Sequence, residues 1–268
     1  MTMLQKCRLL SLLVVLVALF GVRSAVVAQD APGDEKWQSS WTGYLWVPGM
    51  NGDVNVRGIP ADVNVSVSDT ANQIKNMKAS FSGHYEGNKK PYGIIADVNY
   101  WKLDLDYIGV NNAGNVEPSQ IIVELAGTYT LSEKIEGEQT AQRVQALLGA
   151  RYNQLKLQIN NTALDEGGTS FSGSRSQNFV DPFIGVRMYQ ALSPKWGFNL
   201  RTDIGGFGVG SEMVYNAVAS FGYNVGKKRS ILMGWKYYKT NFNNGSGDDY
   251  FKWNVAESGP FVAFQTRF

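Results

Sequence analysis

From residue 29 onward the chain contains no apolar run near the roughly 20 residues that a membrane-crossing helix requires. It repeats instead an alternation of apolar and polar side chains, in segments of about ten residues, the period of a strand with two unlike faces. In residues 77–85, Met77, Ala79, Phe81, Gly83 and Tyr85 share one face, and Lys78, Ser80, Ser82 and His84 the other. Residues 92–100 repeat the pattern, with Tyr92, Ile94, Ala96, Val98 and Tyr100 opposite Asp97 and Asn99. Between these segments, Gly87 to Pro91 is turn chemistry. The same reading along the chain predicts ten strands over 37–47, 73–86, 92–106, 119–131, 141–158, 177–190, 195–207, 212–225, 229–242 and 250–268.

Such strands fit either a soluble barrel, apolar inside, or a membrane barrel, apolar outside. The connections favour the second. Counted from the first strand, one end carries the long segments 48–72, 107–118 and 159–176, with 208–211 and 243–249. Within the first of these, Val54 and Val56, then Val63, Val65 and Val67, alternate around Gly58-Ile59-Pro60, the pattern of a hairpin that extends the strand above the membrane or folds over the mouth. The other end carries 87–91, 132–140, 191–194 and 226–228, as expected of a barrel with both termini in the periplasm. Eight strands fit the segments less well than ten, and the short 208–211 connection is the weakest point of the count. Aromatics at strand ends, Trp37, Trp41, Tyr44 and Trp46 in the first strand and Tyr92 and Trp101 in the third, are expected to form interfacial girdles. The last strand ends in Val262, Phe264, Thr266 and Phe268 on one face, the pattern of an assembly signal read by the barrel-assembly machinery. A mean hydropathy of −0.21 agrees, because only one face of each strand meets lipid.

The start of the chain reads as a secretory signal. Lys6 and Arg8 precede an apolar core over residues 9–20, and Val26 and Ala28 occupy the small-residue cleavage positions. Residues 1–28 are therefore expected to be removed, leaving 29–268 as one outer-membrane barrel domain. Cleavage takes Cys7, the only cysteine, so disulfides and thiol chemistry are excluded from the mature chain. It also takes three of the 25 basic side chains and none of the 23 acidic ones, turning the net charge from +2 to −1. That balance argues against nucleic acid as a partner and leaves outer-membrane lipid and small polar solutes.

On these features the chain resembles the small outer-membrane β-barrel proteins of Gram-negative envelopes, broadly OmpA- and OmpW-like. Trp41 to Met50 with Gly58-Ile59-Pro60, and Asp203 to Ser211 with Gly234 to Tyr238 and the Gly259-Pro260 to Phe268 ending, look closer to an uncharacterised branch. The resemblance implies fold and location and says little of function.

The polar faces supply the candidate site. Lys78, Asp97, Glu124, Arg143, Arg151, Asp181, Arg187, Arg201, Asp203, Lys236 and Arg267 are all expected to face one narrow lumen. Charges there must pair or stay wet. They form either an ion-pair plug or a charge-lined, porin-like path for small solutes. His84, the only histidine, falls two residues before an inner turn with no Ser–His arrangement nearby, so no catalytic residue is assigned. Gly205 to Gly210 lacks the GK[ST] and helix of a phosphate loop, Asp248-Asp249 lacks metal-ligand spacing, and no cofactor is expected. The reading is a non-enzymatic barrel for envelope structure, surface interaction or narrow-pore permeation. The alternative is a barrel enzyme acting on lipid or peptide. Mass spectrometry of the membrane-inserted protein should find Gln29 as its first residue, and retention of Met1 would make the segment an uncleaved anchor.

Overall fold

The computed structural model describes residues 37–56, 59–72, 79–102, 105–106, 115–136, 139–163 and 170–268. The signal segment with its cleavage point, and Lys78, lie outside these. The chain forms a transmembrane antiparallel up-and-down β-barrel. Ten wall strands follow one another in order: β1 (Gln38–Trp46), β4 (Ala79–Lys89), β5 (Tyr92–Lys102), β7 (Asn115–Glu136), β8 (Gln139–Ala163), β9 (Ser170–Ala191), β10 (Trp196–Gly206), β11 (Met213–Asn224), β12 (Arg229–Asn244) and β13 (Phe251–Arg267). Pairing of β1 with β13, from Ser40↔Arg267 to Trp46↔Phe261, closes the wall.

The alternation fixes which face meets lipid. On β9, Val180, Pro182, Ile184, Val186 and Met188 point outward, and other wall strands present the exposed side chains Leu125, Leu148, Phe221, Met233 and Val262. Nine residues at about 3.3 Å each, inclined at roughly 40°, rise about 23 Å, close to the apolar band of such barrels. At the end where both termini lie, outward aromatics pair across strands: Tyr92 with Tyr129 at 5.6 Å between ring centroids and Trp196 with Tyr223 at 5.0 Å. Trp37 and Trp41 are exposed there too. Tyr44, Trp46 and Trp101 are not girdle residues. Their parity turns them into the lumen, where Trp46 and Trp101 are buried. A ring at a strand end goes to the headgroups only when it falls on the outward half of the alternation.

Within the connection 48–72, the hairpin expected from its alternating valines is present. β1 breaks at Val47-Pro48 and resumes as β2 (Gly49–Val56), which pairs with the upper half of β13, and β3 (Ile59–Val65) folds back on β2. The break brings the Val47 carbonyl so close to β13 that a Cβ on Gly259 would lie 2.0 Å from it. Glycine is therefore required there. A short helix, α1 (Val67–Asn72), follows and is tied back by Thr70 donating to the Pro48 carbonyl at 2.7 Å. A two-residue strand, β6 (Leu105–Asp106), adds to β7.

The wall is low at the β10–β11 hairpin. β10 ends its pairing with β9 at Gly205↔Phe183, through a tight turn with positive φ at Gly206, Phe207 and Gly208. Above this gap β9 and β12 meet directly: Phe179 stacks on Phe242, centroids 4.2 Å apart and planes 10° apart. Around that stack Met50, Val54, Trp101, Leu155, Leu157, Phe251, Trp253 and Val255 form an apolar cap inside the loop end. Phe242→Ala should lower unfolding stability by about 3 kcal/mol, the usual cost of emptying a buried ring. Urea unfolding in lipid vesicles measures it, and an unchanged midpoint would mean that the cap is not packed as described.

Candidate functional site in the barrel lumen

Below the cap the side chains turn polar. Adjacent strands carry a row of directly paired inward residues: Ser230, Gln265, Thr42, His84, Asp97, Glu124, Arg151 and Asp181. Asp97 and Glu124 face each other in this row, an unfavourable like-charge pair unless cations intervene. They do.

Two arginines and two carboxylates close into a ring. Arg151 Nε donates to Glu124 Oε1 at 2.9 Å, and Arg151 Nη2 to Asp203 Oδ1 at 2.7 Å. Arg201 Nη2 donates to Glu124 Oε2 at 2.7 Å, and Arg201 Nε to Asp203 Oδ2 at 2.9 Å. Every carboxylate oxygen of the ring thus accepts from a guanidinium, and the four charges cancel. Asn216 adds a donor to Asp203 at 2.8 Å. Both guanidiniums lie over the Phe183 ring, at 4.6 and 5.5 Å from its centroid. The ring spans β7, β8 and β10, and β9 between them must not obstruct it. Gly185 serves this: a Cβ there would stand 2.5 Å from the Asp203 Cβ. Arg151 is wholly buried, and its bonds through Nε and Nη2 to two carboxylates offset the cost of removing its charge from water, while Nη1 has no hydrogen-bond partner among the described residues.

Toward the termini end, Arg187 crosses the lumen from β9 to Glu86 on β4 at 2.6 Å and donates to Gln145 at 2.8 Å. Arg143 reaches Glu133 at 2.8 Å, and Glu133 also takes Lys90 at 2.5 Å. Asp97 joins His84 Nδ1 at 3.1 Å and accepts from the Tyr44 hydroxyl at 3.0 Å. Arg267 donates to Asn224 and Ser230. Asp181 also lies inward, but it holds the wall: it accepts from the Ser211 amide at 2.7 Å and from Asn153 at 3.3 Å, fastening the β10–β11 turn to β9. Lys236 lies among rings, 4.6 Å from the centroid of Trp46, 5.8 Å from Tyr44 and 6.0 Å from Tyr238.

The partners Glu86 and Glu133 were not among the sequence candidates. Glu86 could have been found, since it shares parity with Ser82 and His84. Glu133 follows a register shift between Thr130 and Ser132, which breaks the parity count. The aromatic surroundings of Lys236 carried no signal, because Trp46 and Tyr44 had a ready reading as girdle residues. Among the described residues no group of three or more His, Cys, Asp or Glu is placed to hold a metal ion.

No family model matches the chain, and no curated protein matches it. Solved structures with a similar fold include Ail, the attachment invasion locus protein of Yersinia pestis, at 14% identity over 87% of this chain and 99% of that one, TM-score 0.35. The outer membrane protease OmpT from Escherichia coli is similar at 9% identity over 90% and 99%, TM-score 0.44. OprG from Pseudomonas aeruginosa is similar at 13% identity over 91% and 98%, TM-score 0.33.

Arg151→Ala should leave two carboxylates to share Arg201, one buried negative charge uncompensated, and cost about 3–5 kcal/mol. Arg175→Ala, which removes the exposed pair with Asp249, should cost less than about 1 kcal/mol. Equal losses in equilibrium unfolding would show that the ring is no more than a surface-like network.

Proposed function

We propose that this chain is a closed, non-enzymatic barrel of the outer membrane, serving as an anchored surface platform rather than a pore. The observation that carries this is the blocked lumen: the Arg151–Glu124–Arg201–Asp203 ring lies across it, and the aromatic cap around Phe179, Phe242, Phe251 and Trp253 fills the space beyond. A hydrated ion meeting that cap would have to shed its water against apolar rings. The loop-end strands carry the platform. β7, β8 and β9 run 22, 25 and 22 residues, longer than the span of the bilayer requires, and their outward side chains beyond the apolar band are polar: Ser119, Gln154, Lys156, Ser174, Ser176 and Asn178. On the other side of the mouth, β2 and β3 extend the sheet. There the Lys252 ammonium beside Asp53, at 2.6 Å, holds that carboxyl below the usual carboxylate range.

On this reading residues 1–28 direct export and are cleaved, and Val262, Phe264, Thr266 and Phe268 engage the assembly machinery. Outer-membrane lipid surrounds the apolar band. The termini then lie in the periplasm and the cap at the cell surface.

Planar-bilayer recording tests it. The refolded wild-type protein should give no steady current across the usual voltage range, and removing the block with Arg151→Ala and Phe242→Ala together should raise it. A steady wild-type current would reject the closed barrel.

A further inference from the structure

Between the ion-pair ring and the termini end the lumen is not filled. A cavity of about 230 Å³ reaches down to Asn224, Ser230 and Gln265, among the last inward residues before the turns. Its walls differ in chemistry. One side is charged, with Glu86, Asp97 and Arg187 already bonded to protein partners. The other, on β11 to β13, presents Val218, Leu232, Phe261 and Ala263.

Lys236 lines this cavity between the two. Arg143, Arg187, Arg201 and Arg267, which also line it, each donate to an identified acceptor. Lys236 is 7% exposed, yet among the described residues its ammonium has no hydrogen-bond acceptor and no carboxylate within ion-pair distance. The faces of Trp46, Tyr44 and Tyr238 favour the positive charge but accept none of its three N–H donors in the ordinary way. Glu257, diagonal to it on β13 and beside Trp101, attracts the ammonium through space, as Glu124 does, but neither carboxylate bonds to it and Glu257 is not among the lining residues. A buried ammonium needs acceptor oxygens, and the cavity is where they can come from. At about 30 Å³ per water it holds seven or eight waters, or a molecule of roughly ten non-hydrogen atoms.

We propose that the cavity is a binding site for a small apolar carboxylate entering from the termini end, its oxygens on Lys236 Nζ and its body against Val218, Leu232, Phe261 and Ala263. This goes beyond the platform reading and rests on it only for the closed outer end.

Benzoate, with benzyl alcohol as its uncharged counterpart, is the probe. Titration calorimetry on the refolded protein in lipid nanodiscs should show saturable one-to-one benzoate binding. Lys236→Met should weaken benzoate at least tenfold and leave benzyl alcohol unchanged. Val218→Trp, which keeps the lysine and fills the apolar wall, should abolish both and decides the matter if the first variant does not fold. No saturable uptake by the folded wild-type protein, equal affinity in Lys236→Met, or full binding in Val218→Trp would each overturn the proposal. Benzoate binding by a barrel that conducts would reject the closed barrel and keep the site, whereas a silent barrel without binding would reject the site alone.

Discussion

Hydrocarbon offers no hydrogen bond, so a strand can cross it only inside a wall with no free edge. In this molecule the pairing of Ser40–Trp46 with Phe261–Arg267 joins the first wall strand to the last, and everything else depends on it. Closure sets the curvature that brings Arg187 on β9 to Glu86 on β4, strands separated in the wall by three others. The lipid around the closed wall requires the outward face to be apolar over the height of the bilayer, and thereby leaves the polar residues at that depth to the inside.

A closed wall with a polar inside face then has a charge problem, which the lumen solves in layers. At mid-height the two arginines and two carboxylates neutralise one another by direct ion pairs. Toward the termini end the ion pairs are less buried and surround a cavity. Toward the loops charge gives way to packed rings. The low β10–β11 hairpin makes this last layer necessary, because without the Phe179–Phe242 stack the wall would stand open there. Asp181, which fastens the hairpin turn to β9, belongs to the same repair.

Much of this was legible in the chain. The period of two, the turn chemistry and the absence of a spanning helix after residue 28 gave ten strands and their order, because up-and-down pairing of sequential neighbours follows from short connections. Parity located the inward charges from Asp97 to Arg267. It also misled where a second explanation stood ready: Tyr44, Trp46 and Trp101 sit at strand ends, where rings suit headgroups, yet fall on the inward half of the alternation. The alternating valines between residues 51 and 69 announced a hairpin, but not that its first arm continues β1. That arm is kept extended by β13 alongside it.

The sequence by itself determined which side chains face inward and which face lipid, since alternation is a local property of an extended backbone and closure leaves it only one orientation. Only the tertiary structure decided which charges meet. Glu124 and Arg151 are neighbours by register and Arg201 and Asp203 lie two apart on β10, but the pairs Arg151–Asp203, Arg201–Glu124 and Arg187–Glu86 reach beyond the adjacent strand. Those meetings depend on curvature, stagger and the missing side chain at Gly185. The same geometry left Lys236 among three rings with no hydrogen-bond acceptor among the described residues. No pattern along the chain records it, because the rings come from strands at opposite ends of the sequence.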